Sequence, residues 1–356
     1  MSALEESQRR CAEITRAAGS NFTWTFRFLP KEKREAMVAI YAFMRTADDL
    51  VVDLADDLAE NPAQPAGDFV DSETLRDEKK RRLSLFRRAF EEYCAHEQPS
   101  VEWERERAGE CFTLPPEKIM PPEKTIFPAL EDAVRRFSIP CAYFRDVLDG
   151  MEADLTTAFY RTQADLENYC YRAASAVGLI CLHVWGVDPE KIAPHADSEE
   201  FRAAVACGKA LQWTNILRDV REDALRGRVY LPLDDFSCSS RDFEEKRNPN
   251  QHDDRAPDLL RHILHAAETR NYAVWESAIQ TNLSRAAKFY QTARGLGESI
   301  PAPSRRVFFL ITNTYYGIYQ KIDRAPATIL EKRVRLNAFE KLLCVWRSGK
   351  STQPPK

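Results

Sequence analysis

Apolar residues in this chain recur three and four positions apart through most of its long segments, whereas β-branched alternating runs are scarce and only 12 of 356 residues are glycine. A strand buries every second side chain and an α-helix one stripe per 3.6 residues, so this spacing predicts helix and leaves little from which to build a sheet. The expected fold is all-α. Pro30 is a start signal for a helix through "REAMVAIYAFMRTADDLVVDLADDLAE", whose apolar positions are marked by Met37, Ile40, Tyr41, Met44, Leu50 and Leu54 and which looks buried on both sides. Further helices are expected near residues 73–97, 126–137, 141–159, 165–185, 198–225, 257–281, 283–295, 303–323 and 337–347. Proline density, and in the last case polarity, predicts loops near 61–72, 112–128 and 237–258. With no internal repeat and no shift of composition, one domain with a core over about 19–347 is expected.

A formal net charge of −4 argues against the broad basic surface that nucleic acid requires. The nine cysteines are odd in number and contain no C-x-x-C, which reads as reduced thiols of a cytoplasmic protein. The N-terminal stretch has no apolar signal region, and no uninterrupted apolar run reaches about 18 residues. Any membrane contact is therefore expected to be peripheral, at the inner face. Neither a P-loop nor a G-x-G-x-x-G is present, so no nicotinamide cofactor is expected.

The stretch "TNILRDVREDALRGRVYLP", Thr214 to Pro232, carries the strongest chemical signal. Asp219 and Asp223 stand one helical turn apart, about 40° around the axis, and with Gln212 and Asn215 they form a ribbon of oxygen donors. Hard cations such as Mg²⁺ take that donor type and bridge to substrate phosphates, and Arg226 and Arg228 supply guanidinium forks suited to phosphate. A solvated acidic face is the plainer reading of a lone D-x-x-x-D; the flanking residues favour the metal. A second cluster, Arg45, Asp48, Asp49 and Asp53 in "RTADDLVVDLADD", sits among Tyr41, Phe43, Leu50 and Val51 on a helix expected to be largely buried, where carboxylates need partners. In "ENYCYRAASAVGLICLHVWG", Ala173, Ala174, Ser175 and Gly178 suit close helix packing, and the hydroxyls of Tyr169 and Tyr171 are open to a role in a cavity. His262 and His265 have i,i+3 spacing without a third ligand and read as ordinary surface or packing residues.

Taken together, "AIYAFMRTADDLVVD", "DGMEADL", "YCYRAASAVGLICLHVWG", "GKALQWTNILRDVREDALRGRVYLP" and "YYGIYQKI…EKRVRL" resemble the squalene/phytoene synthase family, the head-to-head trans-prenyl synthases. The resemblance implies an all-α, single-domain isoprenoid synthase fold, a helical bundle around a central cavity faced by two aspartate-rich helices. It implies Asp219 and Asp223 as magnesium ligands beside Gln212 and Asn215, with Arg218, Arg228 and Arg45 near the diphosphates, Tyr41 on the Arg45 stripe, Tyr169 assisting proton transfer and Tyr316 approaching a diphosphate. The implied cofactor is Mg²⁺, with Mn²⁺ as an alternative ion. The implied partners are prenyl diphosphates and downstream isoprenoid enzymes. The likeness is greatest to bacterial presqualene diphosphate synthases, so two farnesyl diphosphates giving presqualene diphosphate or squalene is the expected reaction. Phytoene synthesis from geranylgeranyl diphosphate, a terpene cyclase and a catalytically silent binding protein of the same fold are the alternatives.

The first motif departs from the family, which has an aspartate where this chain has Val52, with Asp53 one step later. In a regular helix Asp49 and Asp53 share a face and Asp48 and Asp53 do not. A π-bulge near Val51 would bring Asp48 and Asp53 together. The placement of Arg45 and Tyr41 favours Asp48 as the residue facing the cavity.

Overall fold

A computed structural model describes residues 2–19, 22–59, 72–95, 125–236, 259–260, 263 and 272–349. Among these residues no strand forms, and the only β-type pairing is an isolated bridge between Phe159 and Val229, so the all-α expectation holds. The chain divides into two compact units, Met1–Leu155 and Thr156–Lys356.

The first unit is built on α2 (Lys31–Ala59), against which α1 (Ala3–Ala17), α3 (Ser72–Ala95) and α4 (Phe127–Arg136) pack; α5 (Cys141–Thr156) completes it. Of the marked positions of α2, Met37 and Ile40 are buried as expected, together with Ala36, Ala39, Ala42, Phe43, Ala47 and Val51, whereas Tyr41, Met44 and Leu50 are half-buried, so from Tyr41 onward the helix is buried less completely than expected. Phe43 is fully enclosed, its ring 5.1, 5.2 and 5.3 Å from those of Phe86, Phe90 and Phe144. Truncating it to alanine would cost about 3–5 kcal/mol. The helix α1 precedes the expected core. It opens with a capping box, Ser2 with Glu5, and buries Ser7, Cys11 and Thr15.

In the second unit α6 (Gln163–Cys170), a π-turn (Tyr171–Ser175) and α7 (Ala176–Trp185) form one continuous helical run. They pack on α8 (Glu199–Leu225), which also meets α9 (Ala273–Thr292) and α10 (Ala302–Arg324); the short α11 (Thr328–Glu331) and α12 (Ala338–Gly349) follow. The crossing of the π-turn with α8 is so close that a Cβ at Gly208 would lie 2.4 Å from Ser175 Cα. Ser175 Oγ donates to the Val205 carbonyl at 2.8 Å. Gly178, expected to serve packing, has no atom within 4 Å of the place its Cβ would take.

Two expected boundaries move. Helices at 257–281 and 283–295 were expected to meet at residue 282, yet α9 runs unbroken through it. Asn282 is fully buried, accepting from Trp213 Nε1 at 3.0 Å and donating to Asp235 Oδ2 at 2.8 Å, so its polarity is satisfied inside the helix. The loop expected over 112–128 gives way to helix at Phe127, and Ile126 is fully buried. The rest of the three expected loops, apart from Ser72 at the start of α3, and His262 and His265, lie outside the described residues.

Candidate active site

The oxygen ribbon of α8 forms as its spacing requires. Asn215, Asp219 and Asp223 follow one another at four-residue intervals along a helix that buries Ile216, Leu217 and Val220 between them and Trp213 just before them. Asp219 is held by two guanidinium groups. Arg218 donates to it through Nε at 2.8 Å and Nη2 at 2.5 Å, and Arg333 Nε approaches at 2.9 Å while its Nη1 reaches Glu222 at 3.1 Å. Such paired, hydrogen-bonded geometry is what lets a carboxylate lie mostly out of water.

Asp223 has no ion pair among the described residues. Its burial, with the negative charge of Asp219 one turn away, pushes its carboxyl up to about 7 against the pull of Arg226 and Arg228. The R-G-R turn sets this up. Gly227 has φ +75°, a left-handed conformation that suits glycine, and the Arg228 amide returns to the Asp223 carbonyl at 2.9 Å. The segment beyond is fixed at both ends. Val229 N donates to the Ala158 carbonyl at 2.9 Å, and Asp235 is gripped by Arg285 Nη2 at 2.7 Å.

Tyr169 is buried and forms a three-ring cluster with Tyr160 and Tyr230, its ring tilted against theirs with centroids 5.2 and 5.4 Å away, while Tyr160 and Tyr230 stack at 5.9 Å. The Tyr230 hydroxyl accepts from Arg228 Nη1 at 3.1 Å, so an unbroken chain of contacts runs from Tyr169 through Tyr230 to Arg228. Tyr315 adjoins Asn215 and Arg218, and desolvation pushes its phenol up. Tyr316 instead stacks with Tyr319 at 5.7 Å and meets Tyr290 edge-on at 5.0 Å; Tyr290 in turn bonds Thr214 of α8 at 2.9 Å. Gln212 Oε1 accepts from Asn215 Nδ2 at 3.4 Å. Arg333, Tyr230 and Tyr315 belong to this site although none was singled out from the sequence. "EKRVRL" and "YYGIYQKI" already contained Arg333 and Tyr315, but only tertiary packing reveals their partner.

A divalent cation has a suitable donor set here. Asn215 Oδ1 is buried and accepts no hydrogen bond among the described residues, and Asp219 and Asp223 supply carboxylate oxygens on the same face. Oxygen-only donors suit Mg²⁺ or Mn²⁺. Among the described residues no three His, Cys, Asp or Glu side chains gather as a metal centre; two carboxylates and a carboxamide make up this set.

On α2, Arg45 pairs with Asp49 and, at 3.5 Å, with Asp48. Contrary to the expected burial, all three are part-exposed, because the buried stripe lies one position away on the helix. Tyr41 packs edge-on against Phe26 at 6.3 Å. The helix is regular throughout, without the π-bulge considered near Val51, and the side chains of Val52 and Asp53 lie outside the described residues.

The family model for squalene/phytoene synthase matches residues 15–340. The chain belongs to the squalene/phytoene synthase family. Members of this family are prenyltransferases that condense prenyl diphosphates head to head. A phytoene synthase of Mycobacterium tuberculosis is 27% identical over 341 residues, covering 96% of this chain and 90% of that one. A dehydrosqualene synthase solved with a ligand covers 98% of both chains at 21% identity and a TM-score of 0.65. The squalene synthase HpnC from Alicyclobacillus acidocaldarius covers 92% of this chain and 96% of its own at 22% identity and a TM-score of 0.60. These two structures share the fold of this family member.

Proposed function

We propose that this family member condenses two molecules of farnesyl diphosphate head to head with Mg²⁺, releases diphosphate and yields presqualene diphosphate as its chief product. The observation that carries the reading is the α8 donor line: the buried Asn215 Oδ1, Asp219 between two arginines, and Asp223 pushed up to about 7, with neither a hydrogen bond to that Oδ1 nor an ion pair to Asp223 among the described residues. Mg²⁺, or Mn²⁺ in its place, would offset the charge that develops on a departing diphosphate. Arg218, Arg228 and Arg333 bind the diphosphate oxygens through their forks. The buried phenol of Tyr169 moves a proton at the reacting carbon, and the rings of Tyr160 and Tyr230 keep water from the allylic cation. Asp48, Asp49 and Asp53 with Arg45 and Tyr41 on α2 would serve the same reaction. Product leaves for downstream isoprenoid enzymes, and no nicotinamide cofactor is required.

Synthesis of phytoene from geranylgeranyl diphosphate is the second reading, favoured by the relatives that bear the phytoene synthase name. Incubating the purified chain with Mg²⁺ and either substrate, with product identification and diphosphate release, tests both. Presqualene diphosphate from farnesyl diphosphate without NADPH is expected. Phytoene as the main product would replace the substrate, a cyclic product from one molecule would make it a cyclase, and no release of diphosphate would leave a silent binding protein.

A further inference from the structure

Trp213 of α8 and Trp275 of α9 are both fully buried, yet their indole N–H groups meet different surroundings. Trp213 Nε1 donates to Asn282 Oδ1 at 3.0 Å, whereas Trp275 Nε1 has no hydrogen-bond partner among the described residues. A buried indole N–H ordinarily finds an acceptor, because leaving it dry forfeits the bond it made to water. Trp275 is also held in place. Its amide donates to the Tyr272 carbonyl at 2.9 Å, and its ring meets that of Phe236 edge-on with centroids 4.7 Å apart.

The space that Trp275 lines leads to the candidate site. It shares a cavity of about 10 Å³ with Asp223, Arg228 and Tyr230, and Ile216 and Val220 of α8 contribute an apolar wall. Size and polarity together fix what this cavity can hold. A diphosphate is far too large, and a cation would face an indole N–H and a guanidinium, both of which only donate. One water molecule fits a space of this size, provided it finds about two to four polar partners. Here it can accept from Trp275 Nε1 and Arg228 and donate to an Asp223 oxygen, with the Tyr230 hydroxyl beside it. Asp223 makes no ion pair among the described residues, so a bond of this kind is what would aim its carboxylate along the line of Asn215 and Asp219.

We propose that Trp275 is a positioning residue for Asp223, acting through one enclosed water that accepts from the indole N–H and donates to the carboxylate. The contact itself stands on the cavity and its lining; its service to turnover rests on the proposed reaction.

The test uses the full chain with benzothienylalanine incorporated at position 275, which keeps the shape of tryptophan and puts sulfur in place of the N–H. In NMR spectra of the isotope-labelled wild type, the Trp275 indole proton, identified by its loss in Trp275→Phe, should show transfer from a long-lived water. It should also shift in Asp223→Asn. The isostere should melt below wild type, because the water loses a partner. Its Mg²⁺-dependent kcat should fall roughly tenfold with the KM for prenyl diphosphate little changed, the usual size of effect for a group that orients a ligand from behind. Made in Asp223→Asn, the same replacement should lower kcat little further, since the two groups act as one unit. An indole proton without water contact, one indifferent to Asp223→Asn, or an isostere that melts at or above wild type would mean that the N–H is dry or lies against the Phe236 ring. Any of these, or an unchanged kcat in the isostere, would overturn the proposal. A chain inactive on every prenyl diphosphate, whose indole still meets water and senses Asp223→Asn, would sink the reaction and leave the contact standing.

Discussion

On α2 one arginine serves two aspartates, Arg45 reaching Asp48 and Asp49 with side chains 37, 49 and 32% exposed. On α8 two arginines serve one aspartate, and Arg218 and Asp219 are only 15 and 18% exposed. Water screens the first arrangement, so each of its ion pairs is worth less than about 1 kcal/mol. The second must balance its charges within the protein, and does so unevenly, with Asp219 doubly compensated and Asp223 left to rise to about 7. Two aspartates beside arginine thus form a solvated cluster on one helix and an electrostatically poised one on the other.

The largest effects should come from α8. Asp219→Asn and Asp223→Asn should each lower Mg²⁺-dependent turnover by about a thousandfold, because several kcal/mol of transition-state stabilisation are lost with a ligand. Near-normal turnover in steady-state assays of either would remove the distinction between the helices. Next comes the register of α2. Asp48→Asn should reduce turnover roughly tenfold and Asp53→Asn much less. The reverse order would show that the regular helix presents Asp49 with Asp53.

Stability separates the two α8 carboxylates. Asp223 has a folded-state pKa raised from 3.8 to about 7, so the native chain holds a proton that the unfolded chain has lost. The resulting penalty accrues as pH climbs from 3.8 to about 7 and stays constant above. Asp223→Asn should therefore melt at or above wild type at alkaline pH, whereas Asp219→Asn, which strands two guanidinium groups, should melt lower. Thermal melts on both sides of pH 7 check the contrast, and equal melting of both variants would break it.

Smaller effects follow. Gly227→Ala meets no crowding but must adopt φ +75°, which should cost about 1 kcal/mol and shift Arg228. Urea unfolding measures the first and the KM for the diphosphate substrate the second. The smallest change is expected for Arg45→Ala, under about 1 kcal/mol in stability and further diminished by salt. A larger, salt-insensitive loss would mean that α2 is not screened.

Much of α8 was legible because a metal line at four-residue spacing and a glycine turn are both local. Its partners were not. Arg333 meets Asp219 across 114 positions, and whether Tyr315 or Tyr316 adjoins Asn215 depends on the rotation of α10. On α2 Met37 and Ile40 were placed correctly, but Tyr41, Met44 and Leu50 were not told apart from Phe43 and Val51 because all five can pack, and only the packing of Phe86, Phe90 and Phe144 onto Phe43 selects among them. The helix α1 gave no signal since its buried face consists of Ser7, Cys11 and Thr15 among charges. Asn282 read as a break because its partners, Trp213 and Asp235, are remote in sequence.

The π-turn at Tyr171–Ser175 was equally silent, and it stores information as angle. The Ala176 amide reaches back to the Tyr171 carbonyl, so the run from Gln163 to Trp185 holds one residue more than a regular spiral needs. Everything before the turn is thereby out of phase with everything after it by about 100°. Deleting any one residue there would let the coil close into ordinary α-helix while carrying Tyr169 away from Tyr160 and Tyr230. A gap of one position in this stretch would then separate chains with differently aimed phenols, even where every aligned side chain is the same.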